Sequence, residues 1–338
     1  MNNKQDFKIL SLSGGGYRGL YTVTVLHKLE KKLKEQDPKD CLANYFDLIT
    51  GTSIGGIIAL ALAAEIPAEK IVKVFDEKGK HIFKKQSCGY FSKAKYSSAA
   101  LRDILHDWFG DNLIGSLKHP VAIPAINFTA GKPVVFKTPH HPTFRMDWEQ
   151  KIIDVALATS AAPTYFQRHT IGKSEYIDGG LFANSPSLIG LHEAEIFFQQ
   201  PIEYIKILSI GTMSAKKTVN PKRNQGGLWD WGEGNPTKAP QNIMDITLSS
   251  QQLFMQQMVK HRIEDNLVII DETLTHSSVP FVGLDETTEE AKKILVGNAE
   301  QSAKEALGKD NITAFLEEKV SRAKFFYGQW SNIEDENI

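Results

Sequence analysis

A serine flanked by small residues is the strongest candidate for chemistry in this chain, in the segment Gly51-Thr-Ser53-Ile-Gly55. The segment fits the pattern G-x-S-x-G, in which a tight turn between a strand and a helix exposes the serine hydroxyl at a sheet edge. The helix that follows would point free N–H groups and the positive end of its dipole at developing negative charge. The pattern also occurs in ordinary turns, but the predicted strand before it and helix after it favour Ser53 as a nucleophile.

A glycine-rich loop precedes this serine, with Gly14, Gly16 and Gly19 between a predicted strand and a predicted helix. It could be a flexible turn, or a dinucleotide fingerprint, since the glycines fit G-x-G-x-x-G. The fingerprint requires an acidic residue at the end of the next strand, whereas Asp47 lies near its start. The third interpretation is an oxyanion hole, a row of unobstructed N–H groups aimed at a tetrahedral intermediate. A glycine loop upstream of a serine turn favours this third interpretation.

A serine nucleophile needs a base, and Asp178 in Tyr176-Ile-Asp-Gly-Gly180 is the best candidate. Alone, the segment is typical of an Asp-Gly turn. The usual base is histidine, but none of the 10 histidines stands in a distinctive context. The residues therefore leave both a Ser-His-Asp triad and a Ser-Asp dyad open. A carboxylate is a poor base at neutral pH unless burial raises its pKa.

Alternating strands and helices must position these residues. Short apolar segments predict strands, listed here in chain order: Phe7 to Ser13, Tyr45 to Thr50, Val121 to Thr129, Pro133 to Thr138, Glu175 to Asp178, Tyr204 to Ile210 and Leu267 to Ile270. Most of the intervening segments have helical periodicity, and a helix is also expected over Ile312 to Phe326. Gly226 to Pro240 is expected to be a long loop. The alternation predicts an α/β fold with a mostly parallel sheet, formed by a single domain over residues 1–338.

Composition narrows the function classes. The 338 residues include 39 Lys and Arg against 40 Asp and Glu, and this net charge of −1 argues against a general DNA or RNA binder. Two cysteines, Cys41 and Cys88, predict neither a disulfide framework nor a zinc site. The start of the chain has no secretory pattern, and its longest apolar run, Ile54 to Ala64, is too short to span a membrane. We therefore expect a cytoplasmic protein that meets a membrane only at its surface.

The motifs, in this order, resemble those of the patatin-like phospholipase family: a G-G-G-x-R-G loop, a G-x-S-x-G turn and a downstream D-G-G. The small-residue block from Ala158 to Phe166 is also similar, and the resemblance covers about Lys8 to Thr212. It implies a three-layer α/β/α fold, with residues 213–338 adding helices and a loop that complete it. The implied reaction is hydrolysis of fatty acyl esters of membrane phospholipids through an acyl-serine intermediate, without a metal or another cofactor.

The resemblance also implies a role for each residue of these motifs. Ser53 would be the nucleophile and Asp178 the base of a dyad, which explains why no histidine stands out. The turn would depend on Gly51 and Gly55. The remaining assignments concern the loop: N–H groups of Gly14, Gly15, Gly16 and Tyr17 would form the oxyanion hole, and Arg18 and Gly19 would support them. The alternative from another class is a catalytically silent nucleotide-binding module that uses the Gly14–Gly19 loop.

Two basic segments could serve partners. From Lys78 to Arg102 the chain has no acidic residue and mixes lysines with aromatic residues, which suits anionic lipid headgroups, an anionic ligand or a solvated loop. A second group, Lys216, Lys217, Lys222 and Arg223, follows a strand and precedes Trp229 and Trp231, which could stack on a base or insert in a membrane. An ordinary mobile loop is the alternative. In length, the chain resembles bacterial members of the family that cyclic dinucleotides activate in anti-phage defence. The resemblance thus implies a cyclic dinucleotide as an activator and leaves the oligomeric state open.

Overall fold

A single mixed sheet organises the part of the chain that the structure, a computed structural model, describes: residues 5–86, 93–213, 226–274, 278 and 281–331. Its strands are β1 (Phe7–Leu12), β2 (Leu48–Gly51), β3 (Val121–Asn127), β4 (Lys132–Lys137), β5 (His169–Ile171), β6 (Ser174–Asp178), β7 (Ile205–Ile210) and β8 (Leu267–Ile270). The longer helices are α1 (Gly19–Lys34), α2 (Ile54–Ala63), α3 (Ala68–Ile82), α4 (Ala99–Phe109), α5 (Ile152–Thr159), α7 (Ser187–Ile196), α9 (Ala239–Ile263) and α10 (Glu289–Leu307). Three single-turn helices complete the set: α6 (Gly180–Ala183), α8 (Leu228–Trp231) and α11 (Asp310–Thr313).

The order of the strands confirms a mostly parallel sheet. Along the sheet the order is β5-β6-β3-β2-β1-β7-β8, with β4 paired to β3. Five neighbouring strands are mutually parallel: β3, β2, β1, β7 and β8. In contrast, β4 and β6 run antiparallel to β3. Every residue of β1 is buried, as is typical of a parallel strand with helices on both faces.

Helices cover both faces of the sheet. On one face α1 and α2 pack in a large core with residues such as Leu10 and Ile49. On the other face Leu191 of α7 and Val259 of α9 pack against Ile9. These are the three α/β/α layers that the family resemblance implies. α10 closes the first face, where Tyr21 Oη donates a hydrogen bond of 2.9 Å to its Ser302 Oγ. That residues 1–338 form one domain stays a prediction.

Two local predictions differ from the structure. The predicted helix over Ile312 to Phe326 is wrong, because α11 ends at Thr313 and irregular chain follows. Backbone groups there bind distant parts of the chain instead: Lys8 Nζ donates to Glu318 O at 2.6 Å, and Phe326 N donates to Pro139 O at 2.8 Å. These tertiary hydrogen bonds replace the helical ones. The predicted loop from Gly226 to Pro240 contains α8 and a 3₁₀ turn at Pro236–Lys238.

Candidate active site

The register of the sheet brings the serine and the aspartate to the same level. β2 pairs with β3 so that Thr50 lies beside Ala122. Three residues further along each segment, Ser53 therefore reaches the level of Ala125. Ala125 is in turn the partner of Asp178 at the end of β6. Ser53 Oγ donates a hydrogen bond of 2.6 Å to Asp178 Oδ2. The structure thus joins the two residues that the sequence places 125 positions apart.

Ser53 lies in a strained turn between β2 and α2. Its φ is 55°, in the left-handed region that non-glycine residues rarely adopt. A Cβ at Gly51 would collide with Gly55 O, and a Cβ at Gly55 would collide with Leu12 O, so both positions must be glycine. The Ser53 N–H donates to Thr159 Oγ1 at 3.0 Å, and this hydroxyl donates to Pro124 O at 2.6 Å. The turn is therefore held by the sheet and by α5.

Asp178 is a buried carboxylate held in a fixed orientation. It is 5% exposed, and its Oδ1 accepts a 2.7 Å hydrogen bond from the Gly180 N–H while Oδ2 accepts the one from Ser53. Burial raises the pKa of Asp178 to about 6, although both hydrogen bonds act in the opposite direction. A pKa near 6 makes this carboxylate a better proton acceptor than an exposed aspartate while leaving it charged at neutral pH.

The glycine loop between β1 and α1 lies directly against the serine. A Cβ at Gly14 would lie 3.2 Å from Ser53 Cβ. Two of the four N–H groups predicted for the oxyanion hole already have acceptors: Gly14 N donates to Asn184 O at 2.9 Å, and Tyr17 N donates to Leu284 O at 2.7 Å. The N–H groups of Gly15 and Gly16 have no acceptor among the described residues. Of the four predicted N–H groups, these two remain available to an oxyanion, and the oxyanion hole itself stays a prediction.

Residues far from the loop in sequence hold it in this shape. Thr212 Oγ1 donates to Gly14 O at 3.0 Å, and a Cβ at Gly16, where φ is +58°, would collide with Leu284 O. The neighbouring Asp285 Oδ2 accepts 2.5 Å hydrogen bonds from Lys95 Nζ and from Tyr96 Oη. The sequence motifs do not identify these supports. Leu284 and Asp285 lie beyond the segment that resembles the family, and Thr212 lies at its edge.

Arg18 is buried beneath the loop. It is 8% exposed, and its Nε has no hydrogen-bond partner among the described atoms. Burial lowers the pKa of its guanidinium, while the nearby carboxylates of Asp245 and Asp271 act to raise it. Its backbone N–H donates to Gly15 O at 3.2 Å. Gly19 is packed against Ile54, because a Cβ there would collide with that side chain. Support of the loop by Arg18 and Gly19 stays a prediction.

A large apolar pocket opens at Ser53. Its cavity volume is about 90 Å³, and about 1050 Å³ with the open mouth included. Its wall is formed mainly by α2, α3 and α4, with representative residues Ile57, Phe75, Ile82, Leu105 and Trp108. The sides of the pocket hold few polar groups besides the loop, Ser53, Asp178 and Asn184. Such a cavity fits an alkyl chain whose carboxyl end reaches the serine.

No histidine lines this pocket in the part of the chain that is described. His169 Nε2 instead lies 2.9 Å from Asp154 Oδ1, and His140 packs near Glu193 at the other edge of the sheet. Among the described residues, one group has atoms close enough to bind a metal together: Cys41, Glu65 and His119, within 4.8 Å of one another. Glu65 follows the far end of α2 from Ser53 and pairs with Lys118 at 2.5 Å, so this group is not part of the pocket.

The acid-free segment from Lys78 to Arg102 meets acidic residues in the folded chain. Lys78 pairs with Asp107 at 3.3 Å, Lys80 with Glu289 at 2.7 Å, and Lys95 with Asp285. Two aromatic residues of this segment, Tyr90 and Phe91, lie outside the described residues. So do Cys88 and the predicted basic group Lys216, Lys217, Lys222 and Arg223. In the described ranges, no helix has both the length and the apolar composition needed to cross a bilayer.

Comparison with known proteins agrees with this geometry. The sequence model of the family named "Patatin-like phospholipase" matches residues 10–190. A "cGAMP-activated phospholipase" from Pseudomonas aeruginosa is 38% identical over 340 residues, covering 98% of this chain and 98% of that protein. One of the same name from Vibrio cholerae is 35% identical and covers 92% and 94%. "Patatin-like protein 1" from Oryza sativa is 27% identical and covers 91% and 84%. With its matching domain and with relatives along its whole length, the chain belongs to the patatin-like phospholipase family.

Proposed function

We propose that this protein is a serine acyl hydrolase that cleaves fatty acyl esters of membrane phospholipids with a Ser53-Asp178 dyad. The observation that carries the proposal is the 2.6 Å hydrogen bond from Ser53 Oγ to Asp178 Oδ2 at the mouth of an apolar pocket. The apolar wall supports an acyl chain as the bound part of the substrate. Membership of the phospholipase family supports a glycerophospholipid as the molecule that carries it.

The first half of the reaction forms an acyl-serine. Asp178 Oδ2 takes the hydroxyl proton as Ser53 Oγ attacks the ester carbonyl carbon, and the carbonyl oxygen becomes an oxyanion. The N–H groups of Gly15 and Gly16 would donate to this oxyanion, aided by the positive end of the α2 dipole. When the tetrahedral intermediate collapses, the C–O bond to the glycerol breaks. Asp178 returns the proton to the departing alkoxide, leaving the acyl group on Ser53.

The second half repeats these steps with water. A water molecule gives a proton to Asp178 and attacks the acyl carbonyl, and the same two N–H groups would hold the new oxyanion. The bond between the acyl carbon and Ser53 Oγ then breaks, and Ser53 Oγ takes the proton from Asp178. The products are a fatty acid and a lysophospholipid. Asp178 accepts and returns one proton in each half of this cycle, first that of Ser53 and then that of the water.

Labelling with a fluorophosphonate, which reacts with activated serines, tests the nucleophile and separates the proposal from its alternative. We expect the native protein to be labelled and the Ser53→Ala variant not to be labelled. Ser160→Ala provides a control, because this serine also lines the pocket but donates its hydroxyl proton to Ala156 O at 2.7 Å. An unlabelled native protein that binds a nucleotide through the Gly14–Gly19 loop would instead support the catalytically silent module.

We also propose that a cyclic dinucleotide activates the enzyme, as part of anti-phage defence. The support is the name of the relatives from Pseudomonas aeruginosa and Vibrio cholerae, "cGAMP-activated phospholipase", together with their coverage of nearly the whole chain. The test is hydrolysis of a defined phospholipid by the purified protein with and without cGAMP. Activity that is already maximal without the nucleotide would contradict activation and leave the hydrolase proposal intact.

Contact with the bilayer is proposed at Lys84 and Lys85, in a cytoplasmic protein that visits the inner face of the membrane. Both side chains are exposed and form no ion pair with a described residue, unlike Lys78, Lys80 and Lys95. Reversing both charges with Lys84→Glu and Lys85→Glu should weaken sedimentation with anionic liposomes. The same reversal at Lys132 and Lys173, two exposed lysines elsewhere, is the control. Equal sedimentation of both double variants would discard this surface.

A further inference from the structure

A second open pocket lies at the opposite end of the central strands from Ser53. It encloses about 1040 Å³, its open mouth included, and its lining contains Phe7 and Asp47. Phe7 begins β1, whereas the glycine loop follows the end of β1. Asp47 immediately precedes β2, whereas Ser53 follows its end. At about 3.3 Å per residue, the length of β1 separates the two pockets by roughly 17 Å.

The wall of this pocket combines aromatic rings with cations. The ring of His141 lies 5.2 Å from Phe197 and 6.5 Å from Phe326. Arg322 and Lys324 also line the pocket and form no ion pair with a described residue. Their charged groups lie over rings, Arg322 Cζ 4.3 Å from the centre of Trp330 and Lys324 Nζ 5.3 Å from that of Phe326. Rings that can stack on bases, beside unpaired cations, suit a nucleotide.

Two amide side chains in the pocket add to this match. Gln199 and Gln200 line it and offer amides for the edges of bases. Its one described carboxyl, Asp47, accepts a hydrogen bond from the Lys8 N–H at 2.7 Å. The buried ring of His140 faces the pocket, and its Nε2 has no hydrogen-bond partner among the described atoms. Glu193 Oε2 lies 3.5 Å from that nitrogen and is equally unsatisfied.

We infer that this pocket, lined by His141, Phe326, Arg322 and Lys324, binds the cyclic dinucleotide that activates the enzyme. The inference rests on the proposed activation and adds the place where the activator binds. Arg322 and Lys324 would hold the phosphodiesters by charge-assisted hydrogen bonds, and the rings would stack on the purines. Without its open mouth the cavity has a volume of about 500 Å³, within the range of about 300–1,000 Å³ for small-molecule sites.

Helix α7 connects this pocket to the active site. It begins at Ser187, three residues after Asn184, whose carbonyl accepts the Gly14 N–H. It ends at Ile196, immediately before Phe197 and Phe198 in the wall of the second pocket. Over its 10 residues the helix rises about 15 Å. A ligand that moves the end of α7 would therefore act, through one rigid element, on the residues that hold the oxyanion loop.

Calorimetric titration of the full chain with cGAMP tests the site. The double variant Arg322→Gln with Lys324→Gln should bind cGAMP at least about 10-fold more weakly, because two charge-assisted bonds are lost. It should also need a correspondingly higher cGAMP concentration for half-maximal activation of phospholipid hydrolysis. The matched control is Lys132→Gln with Lys173→Gln, which removes two positive charges at exposed lysines elsewhere. We expect this control to bind as the native protein does.

A second variant covers the case in which the double variant does not fold, as judged by its melting temperature. His141→Ala removes one ring and no cation partner, and it should weaken binding by a few-fold to about 100-fold, since stacking on a base is worth about 1–3 kcal/mol. Unchanged cGAMP affinity in either folded variant would overturn the site. If these variants lost binding to anionic vesicles and kept cGAMP affinity, the pocket would hold lipid headgroups, and the inference would be wrong.

Different results would reject the position of the site, the activator and the hydrolase activity. If the native protein does not bind cGAMP, both the activator and its site are rejected, whereas labelling of Ser53 still tests the hydrolase. If the native protein is activated and the variants respond as it does, only the position of the site is rejected. Loss of binding and of activation in the variants alone supports the site.

Discussion

The serine turn and the glycine loop meet at one active site, but different parts of the chain hold them. Thr159 of α5 and the end of β1 hold the serine turn, and both belong to the central layers of the fold. The glycine loop instead rests on Asn184, which precedes α7, and on Leu284, which precedes α10. The proposed nucleophile therefore depends mainly on the sheet and its adjacent helix, with one further hydrogen bond from Thr52 Oγ1 to Ala183 O, whereas the proposed oxyanion donors also depend on Leu284, which follows the matched domain.

This difference indicates where control can act. A regulator that moved Ser53 would have to disturb the packed centre of the sheet, which is costly because packed cores deform little. A regulator that moved Leu284 would shift the Gly15 and Gly16 N–H groups and leave the proposed nucleophile in place, whereas moving Asn184 would also disturb Ala183 O, which accepts the Thr52 hydroxyl at 2.6 Å. Oxyanion donors must lie at defined positions to be effective. Control of the loop thus changes rate with little cost to the fold.

Loss of the base should have the largest effect. In Asp178→Asn the amide can keep the hydrogen bond from the Gly180 N–H but cannot take the proton of Ser53. The rate of hydrolysis should fall by about 100-fold to 10,000-fold, as is usual when general base catalysis is removed. The measurement is steady-state hydrolysis of a phospholipid at pH 7, with the melting temperature recorded to verify folding. An essential histidine and a dispensable Asp178 would contradict the dyad.

The pH profile sharpens this prediction. Since burial raises the pKa of Asp178 to about 6, the native rate should be constant above that pH and fall as pH drops through it, because the protonated acid cannot accept a proton. The residual rate of Asp178→Asn should not show this fall as the pH drops through about 6. Asp147→Asn is the control, because burial raises the pKa of this carboxyl also but it lies outside the catalytic pocket.

Distorting the loop should have the next largest effect. In Gly16→Ala the new Cβ would collide with Leu284 O at a residue whose φ is +58°, and the N–H must move. Loss of one oxyanion donor costs about 100-fold to 1,000-fold in turnover. Gly131→Ala is the matched control, since φ there is +64° and no atom lies within 4 Å of the added Cβ. Equal turnover of Gly16→Ala and the native protein would exclude this N–H from the oxyanion hole.

The contrast between turn and loop also explains which features the sequence could predict. The sheet and the helices that cover it follow from local patterns. The pairing of Ser53 with Asp178 was implied only by the family resemblance, because β6, which ends at Asp178, runs antiparallel to β3. The support of the loop by Leu284 and Asp285 could not be predicted from local patterns. Tertiary packing decides which groups lie beside the Leu284 carbonyl and the Asp285 carboxylate. The predicted helix over Ile312 to Phe326 failed for the same reason. Its periodicity was real, but distant backbone partners outweighed it.

Weakening the support of the loop should have a smaller effect than distorting it. Asp285→Asn removes the charge that pairs with Lys95 and keeps an acceptor for Tyr96 Oη. We expect kcat to fall by about 3-fold to 10-fold with KM unchanged, well below the roughly 100-fold cost of a large misplacement of catalytic groups. The control is Lys80→Met, which breaks the exposed pair with Glu289 in the same region. Equal kcat values for the two variants would show that Asp285 does not help to position the glycine loop.

The support of the turn should matter least for rate, although its loss costs stability. Thr159→Val leaves the partly buried Ser53 N–H without its acceptor and Pro124 O without its donor, so the free energy of unfolding should fall by about 1–3 kcal/mol. Because Gly51, Gly55 and the sheet still impose the strained turn, kcat should change by no more than about 3-fold. Thr24→Val is the control for stability, since this buried hydroxyl has no partner among the described atoms and its removal should cost little. Denaturant unfolding and kcat, measured on the same samples, separate the two effects. A larger loss of kcat in Thr159→Val than in Asp285→Asn would reverse the comparison, because the turn would then be the adjustable half of the site.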